Sequence, residues 1–577
     1  MGKRVISKNL KTIRDSFDIT TKENKDKVAF LEKRPRQKEF REITYNEFRQ
    51  NVTSIGAALI EKLKLKDEKI AIIGENSYEW AASYYSVVCG TGIVVPLDKE
   101  LPAREVVNLV NRSKAKAIFY SSRKRDLINS IREEVKDLKY FIELYPEEVK
   151  EENNFKGEND YTFDELVKIG SDYNEEVLMS VPINPEEFKI LLFTSGTTAE
   201  SKGVMLTNKN IIENIEAAIS EVSLYDDDRF FSVLPLHHSY ESTVGMMIPV
   251  YCGLSIGYAG GLKTIANDLK EIKPTVMLAV PALLESLIKK INKEIDKKGK
   301  TKLVNLVIRV TDILGMLGTD MKKTLLKDIY ASLGGKIRLI VSAAAPIDPE
   351  VGKRIEGFGI MFLQGYGLTE TSPLATIVPD TDRRLGSVGK PGKCCVVKIH
   401  EPNEEGIGEV WIKGTNVTEG YYENEEETKK SITDGWFHSG DLGYIDKDGF
   451  LYLTGRSKNL IITGNGKNVY PEEIENLINK IGLVNESLVY AVPDPKDKNE
   501  QIIAVKVTLD EVYLKEKYGE NRPTDEEIQD IIWQEIKEVN RTLAPYKWVK
   551  QLIVKKEDFV KTTTMKIKRY EELKKEN

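Results

Sequence analysis

Short runs of uninterrupted apolar residues, each joined to a segment with helical spacing, constrain the fold of this chain more than any other feature. Lys69–Asn76 (KIAIIGEN) reads as a buried strand, Tyr78–Gly90 as a helix and Gly92–Leu97 (GIVVPL) as the next strand. Val106–Ser122 is a helix followed by a strand, and Pro274–Val280 with Pro281–Ile291, and Lys336–Ala344 with Asp348–Gly359, repeat the pairing. A strand without a polar face must be covered on both sides. Alternation with helices therefore predicts parallel sheets flanked by helices. No short-period repeat is present, which excludes a solenoid.

At 577 residues the chain exceeds one ordinary core, so two or more domains are expected. Residues 121–185 are charged and loop-rich and are expected as a surface excursion. From about 386 to 455, short β runs (VVKIHE, EVWIKG, FLYLTG) between Gly, Asp and Asn turns predict a small β-barrel or sheet. Beyond Arg456 the pattern becomes strand, turn, helix, two strands around a polar loop, then a charged helical remainder. The expected fold class is α/β. A large domain, residues 1–457, has parallel sheets plus the small barrel, and a small α+β domain covers 458–577.

Charge and composition exclude several classes. Lys and Arg total 85 against 91 Asp and Glu, a net −6, which argues against a duplex nucleic-acid binder. Four cysteines, Cys89, Cys252, Cys394 and Cys395, form no C-x-x-C pair, and only four histidines occur. Neither a disulfide framework nor a zinc centre is expected, and a reducing cytoplasm fits. MGKRVISKNL has no apolar signal core, and Ile6 stands where N-myristoylation needs Ser or Thr. Ser242–Leu262 is uncharged and as long as a membrane span, but its glycines and Pro249 favour a buried helix, turn and strand. Membrane contact is at most peripheral. A homodimer is compatible with the sequence, which fixes no oligomeric state.

One segment points to chemistry: ILLFTSGTTAESKGVMLTNKN, Ile190–Asn210. An apolar strand runs into Thr194, Ser195, Gly196, Thr197, Thr198, Lys202 and Gly203, and a helix begins near Asn208. Small residues let backbone N–H groups approach phosphate oxygens, hydroxyls add donors, and Lys202 adds charge. The spacing is not that of the G-x-x-x-x-G-K-[ST] loop. By composition alone, a flexible surface turn is the plain alternative.

TSGTT with SKGV resembles the signature of the adenylate-forming superfamily, which includes acyl-CoA synthetases, luciferase and nonribosomal-peptide adenylation domains. Ala199 replaces a usual Gly and Ser201 a usual Pro. The resemblance runs from about residue 28 to about 570, with its motifs in family order. It implies that Ser342–Pro346, with Ala344, Ala345 and Pro346, is an adenine-facing turn. Gln364–Pro373 (QGYGLTETSP) matches the central nucleotide motif. There Gln364, Gly365, Tyr366, Gly367 and Leu368 border the nucleotide, with Tyr366 against adenine. Thr369 would touch the α-phosphate and Glu370 would hold Mg²⁺. Asp441 matches the ribose carboxylate, Arg456 a ribose and phosphate reader, and Lys458 the hinge of a mobile C-terminal lid. Lys467, in GNGKNVYPEE, would border the thiol approach. Lys566 matches the lysine that bridges the carboxylate substrate and the α-phosphate. Met565 stands where Gly is frequent, and Lys561 and Lys568 are near neighbours.

The implied reaction uses ATP and Mg²⁺ to adenylate a carboxylic acid, releases pyrophosphate, and passes the acyl group to coenzyme A. LPLHHSYE (Leu234–Glu241) resembles the form of this motif in long-chain fatty acyl-CoA synthetases, with His238 at their histidine position. A packing histidine is the plain alternative. The uncharged segment that follows leaves room for an alkyl chain, so a medium- or long-chain fatty acid is expected. Two other readings stand beside this one: a ligase that loads an acyl carrier protein, and a nucleotide-binding sensor without turnover.

Overall fold

The computed structural model describes residues 2–34, 37–145, 157–194, 201–261, 263–316, 321–463, 467–494, 501–562 and 566–574. They form two compact units. The first comprises Met1–Val397 with Ile412–Phe437, the second Lys398–Trp411 with His438–Asn577.

The first unit is built on two sheets. One has seven strands in the order Asp160–Thr162, Tyr140–Glu143, Ala117–Tyr120, Glu68–Ile73, Gly92–Leu97, Phe188–Thr194 and Lys202–Thr207. Neighbours are parallel except the last pair, which is an antiparallel hairpin. The other has nine strands, with six central parallel ones from Met361–Gly367 through Leu339–Ser342, Val276–Ala279, Arg229–Ser232 and Ser255–Tyr258 to Val28–Glu32. Antiparallel strands close both edges. Ile70, Ala71, Ile72 and Ile73 are fully buried, as a strand covered on both faces requires. The parallel architecture is the one expected.

Two local expectations are corrected. Residues 121–185 are not purely a surface excursion, because Tyr140–Glu143 and Asp160–Thr162 extend the seven-stranded sheet as parallel strands. Their edge position tolerates the charged residues around them, which hid them. Between the expected phosphate loop and its helix lies a second strand, Lys202–Thr207, too short and too close to the loop to stand out. Ser242–Cys252 is buried helix, and after Gly253 the chain enters strand Ser255–Tyr258. Among the described residues, no helix is long and apolar enough to cross a membrane.

The β-rich stretch forms a five-stranded sheet of Cys395–His400, Gly408–Gly414, Trp436–Ile445, Ile432–Thr433 and Leu451–Arg456. It is an open sheet, with no closed ring among the described residues. In the second unit, Val484–Pro493, Gln501–Leu509 and Val549–Lys555 form a three-stranded sheet. Helix Asp525–Arg541 buries Ile528, Ile532 and Ile536 at four-residue spacing, behind a Thr524–Glu527 capping box. The strand Val549–Lys555 stands where the sequence reads as helical. It joins Gln501–Leu509 in parallel, a pairing that local pattern does not show.

Candidate functional site

In the first unit, Thr194 ends one arm of the loop hairpin and pairs in register with Lys202 on the other. Its hydroxyl donates to the Lys202 carbonyl at 3.4 Å. Ser195, Gly196, Thr197 and Thr198 lie outside the described residues. Below the hairpin, helix Asn208–Glu221 begins where expected. Thr207 and Asn210 cap it reciprocally, the Asn210 N–H donating to Thr207 Oγ1 at 3.0 Å and the Thr207 N–H to Asn210 Oδ1 at 2.9 Å. The Asn210 amide also donates to the carbonyls of Thr415 and Val417, at 2.7 and 3.1 Å. The loop therefore stands on a helix end tied to a distant segment.

That segment supplies residues that the motifs miss. The Tyr422 N–H donates to the Gly203 carbonyl at 2.7 Å, and the Thr418 N–H to the Glu370 carbonyl at 2.8 Å. The buried Tyr421 phenol donates to Glu370 Oε1 at 2.9 Å. Burial, and then the Glu370 carboxylate, push its pKa far above the ordinary tyrosine value, so it stays a donor. The Lys202 ammonium lies 5.1 Å from the centre of the Tyr421 ring and is ion-paired with Glu427. One side chain thus joins the loop lysine to the expected magnesium carboxylate. Glu427 lies 225 residues from Lys202, so no local pattern in the sequence points to this contact.

The turn Thr369–Thr371 is braced from two sides. The Asn214 and Asn416 amides each donate to the Leu374 carbonyl at 2.7 Å, and both reach the Thr371 carbonyl. A Cβ at Gly367 would fall 1.8 Å from the Pro373 carbonyl oxygen, so only glycine lets the strand end against the turn. The Ser239 hydroxyl donates to Thr369 Oγ1 at 3.4 Å. Gln364 and Tyr366 are buried in strand Met361–Gly367, and Ser342 lies beside Gln364. Among the described residues, Ser342 Oγ and Gln364 Oε1 are buried with no hydrogen-bond partner, an arrangement proteins keep for a ligand or a water. Ala344, between Ser342 and the Ala345–Pro346 peptide, holds φ +76°, a strained value for a residue with a Cβ.

Next to Ser239 begins a purely apolar space. A narrow cavity of about 30 Å³ is bounded by Ala218 and Ile219 of one helix and Val222 just past its end, by Tyr240, Val244 and Ile248 of the next helical stretch, and by strand residues such as Val276 and Val341. Tyr240 closes one wall, its hydroxyl donating to the Val341 carbonyl at 3.0 Å. His237 and His238 sit before this helix with ring centres 4.3 Å apart. Burial, and then His238, push the His237 pKa well down, so His237 is neutral. Beyond Tyr240, Glu241 is fully buried, and burial raises its carboxyl to about 8. Ser232 donates to it, and Gly245 makes room, since a Cβ there would fall 2.7 Å from the carboxyl carbon.

In the second unit, Asp441 and Arg456 face each other on adjacent strands, Oδ1 to Nε 2.8 Å. Lys566 is tied to Thr562. Its N–H donates to Thr562 Oγ1 at 3.1 Å, and Lys561 pairs with Ile567. Burial and the Arg456 guanidinium push the Lys566 ammonium below the ordinary lysine pKa, against Asp441, so these three groups share one neighbourhood. Lys561 and Lys568 are held by Glu486 and Glu571, at 2.6 and 3.0 Å, whereas Lys566 has no ion pair among the described residues. Lys458 lies exposed in the helical turn Ser457–Asn459. Lys467 is exposed after residues outside the description, and its carbonyl accepts from the Thr463 N–H at 3.0 Å.

The family model described as AMP-binding enzyme matches residues 17–422. Long-chain-fatty-acid–CoA ligase 5 of Rattus norvegicus is 29% identical over 490 residues, which cover 79% of this chain and 71% of that protein. Long-chain-fatty-acid–CoA ligase 1 of Saccharomyces cerevisiae is 28% identical over 530 residues, covering 84% and 75%. Among solved structures, the anthranilate CoA ligase AuaEII in complex with anthranoyl-AMP superposes with a TM-score of 0.76. It is 20% identical, over 98% of this chain and 97% of that one. ATP-bound MatB from Rhodopseudomonas palustris gives 0.74 at 23% identity, over 97% and 98%. At these identities the structures establish a shared fold.

Proposed function

The chain belongs to the AMP-binding enzyme family; we propose, on that premise, that it adenylates a medium- or long-chain fatty acid and transfers the acyl group to coenzyme A. One observation carries the choice of acid. The braced Thr369 turn and the apolar cavity meet at the Ser239–Tyr240 peptide, Ser239 touching Thr369 and Tyr240 lining the cavity. At about 30 Å³ the cavity has room for about one methylene, so a polar head at the turn would seat the start of an alkyl tail there and the walls would part for the rest. The names of the curated relatives support the same class.

The first step joins two anions. A carboxylate oxygen attacks the α-phosphorus of ATP, the bond to the β-phosphate oxygen breaks, and pyrophosphate leaves. Cationic groups must offset the repulsion. Lys202 is poised for this on its hairpin, and a phosphate oxygen would replace Glu427 as its partner. Lys566, which has no ion pair among the described residues, would bridge the carboxylate and the α-phosphate. Glu370 fits Mg²⁺, which takes one or two carboxylates together with phosphate oxygens and would neutralise the phosphate charge. Asp441, beside Arg456, would accept hydrogen bonds from the ribose hydroxyls. In the second step the thiol sulfur attacks the acyl carbon, the thiol proton is lost, and AMP departs. Lys458 would act as the hinge between the two steps, with Lys467 near the thiol approach.

Pyrophosphate release measured over acids of graded chain length, with and without coenzyme A, tests the reading. The expected result is release that depends on acid and rises with chain length, and thioester only when coenzyme A is present. Lys566→Ala should lower the adenylation rate about 10²–10³-fold. No release with any acid would leave the non-catalytic sensor standing. Transfer to a holo carrier protein but not to coenzyme A would move the activity to the carrier-loading reading.

A further inference from the structure

Helix Thr301–Met316 has two apolar sides. Val304 is buried in the core of the first unit, and Val307 and Ile308 pack against it. On the opposite side, Leu303, Leu306, Val310 and Ile313 are 56%, 58%, 43% and 60% exposed. Steps of three and four residues align these four in one stripe about three turns long. Met321 and Leu325, just beyond, are exposed as well. Elsewhere among the described residues, large exposed apolar side chains stand singly along the chain. Single ones are ordinary, whereas a contiguous stripe marks a contact surface.

The charges around the stripe have one predominant sign. From Lys297 to Ile313 the basic residues are Lys297, Lys298, Lys300, Lys302 and Arg309, and the acidic one is Asp312, in a chain whose net charge is −6. Asp312 is paired with Lys322 at 2.7 Å. A second copy of the helix is a poor partner. Read as a coiled-coil seam, the stripe has Lys302 and Arg309 at its flanks and Val307 at the facing position, so self-pairing gains no salt bridge. An apolar stripe bordered by cations matches the headgroup and acyl boundary of an anionic bilayer.

We infer that helix Thr301–Met316 docks the protein on an anionic lipid surface, with Leu303, Leu306, Val310 and Ile313 inserted and the flanking lysines on the headgroups. At 1.5 Å per residue its sixteen residues span about 24 Å and lie in the interface plane without crossing it. The uncharged Ser242–Cys252 region plays no part, because it is buried in the core. Docking does not depend on which acid is activated.

Flotation of the full chain with vesicles tests the inference. The protein should float with vesicles of phosphatidylcholine mixed with phosphatidylglycerol, less with phosphatidylcholine alone, and less as salt is raised. The double variant Leu306→Glu/Ile313→Glu should partition at least about tenfold more weakly, since the stripe's apolar contribution is removed. Its melting temperature and its pyrophosphate release with a water-soluble acid should be unchanged, showing an intact fold. Failure of the wild type to float with the mixed vesicles overturns the inference, as does a variant that floats equally well. A wild-type dimer that the variant abolishes, without vesicle binding, would assign the stripe to self-association instead.

Discussion

Tyr421 donates its phenol proton to Glu370 across 2.9 Å, although 51 residues separate the two in sequence. The same ring lies under the Lys202 ammonium. Loop lysine and expected magnesium carboxylate are thereby oriented by one buried side chain, whose raised pKa keeps it a donor throughout the working pH range.

Tyr421→Phe removes that donor and keeps the ring. The expected result is a loss of about 10–100-fold in apparent Mg²⁺ affinity or adenylation rate, as for other groups that orient a metal ligand. A magnesium titration of pyrophosphate release reads it. An unchanged titration would show that Glu370 is positioned without the phenol.

Val244→Trp should shorten the acids accepted. Val244 borders the apolar cavity, and a larger ring there competes with the distal part of an alkyl chain. For a long-chain acid kcat/KM should fall about tenfold or more, because each buried methylene contributes about 0.8 kcal/mol. For the shortest acids it should change little. An equal loss at every chain length would place the alkyl chain elsewhere.

Glu241 makes stability depend on pH. Its folded pKa of about 8 lies above the ordinary 4.5 because burial disfavours the carboxylate. Such a group stabilises the fold fully below its unfolded pKa, and the contribution is lost as pH rises from about 4.5 through 8. Glu241→Gln, which keeps an acceptor for Ser232, should therefore melt at a higher temperature than the wild type near pH 9. Near pH 5 the two should lie much closer. Parallel melting curves across that range would contradict a raised Glu241 pKa.

Lys458→Pro stiffens the turn Ser457–Asn459, where rotation between the half-reactions is proposed. Acid-dependent pyrophosphate exchange should survive and thioester formation should fall sharply. Thioester made at the wild-type rate would exclude a hinge at this position.

Much of the molecule was legible from local pattern. The apolar runs at Lys69–Asn76 and Pro274–Val280 had to be covered strands, and they lie at the centres of the two sheets. Of the loop, the residues at its arms, Thr194 and Lys202, are found in register. Strands Tyr140–Glu143 and Val549–Lys555 were not legible, because each exists only through pairing with a segment far away in the chain. Nor was the exposure of Leu303, Leu306, Val310 and Ile313. Helical spacing reads Val304 and Leu303 alike as apolar, and only packing decides which side meets the core.

Periodicity settled that this chain builds parallel sheets flanked by helices, because it depends on near neighbours, and the resemblance of short motifs named the residues expected around a nucleotide. Tertiary packing alone chose Tyr421, Glu427, Asn214 and Asn416 as the groups that orient those residues. It also narrowed the apolar space beside Thr369, and it left one helix stripe facing solvent. These outcomes depend on which distant side chains share a volume, and no local stretch of sequence encodes that.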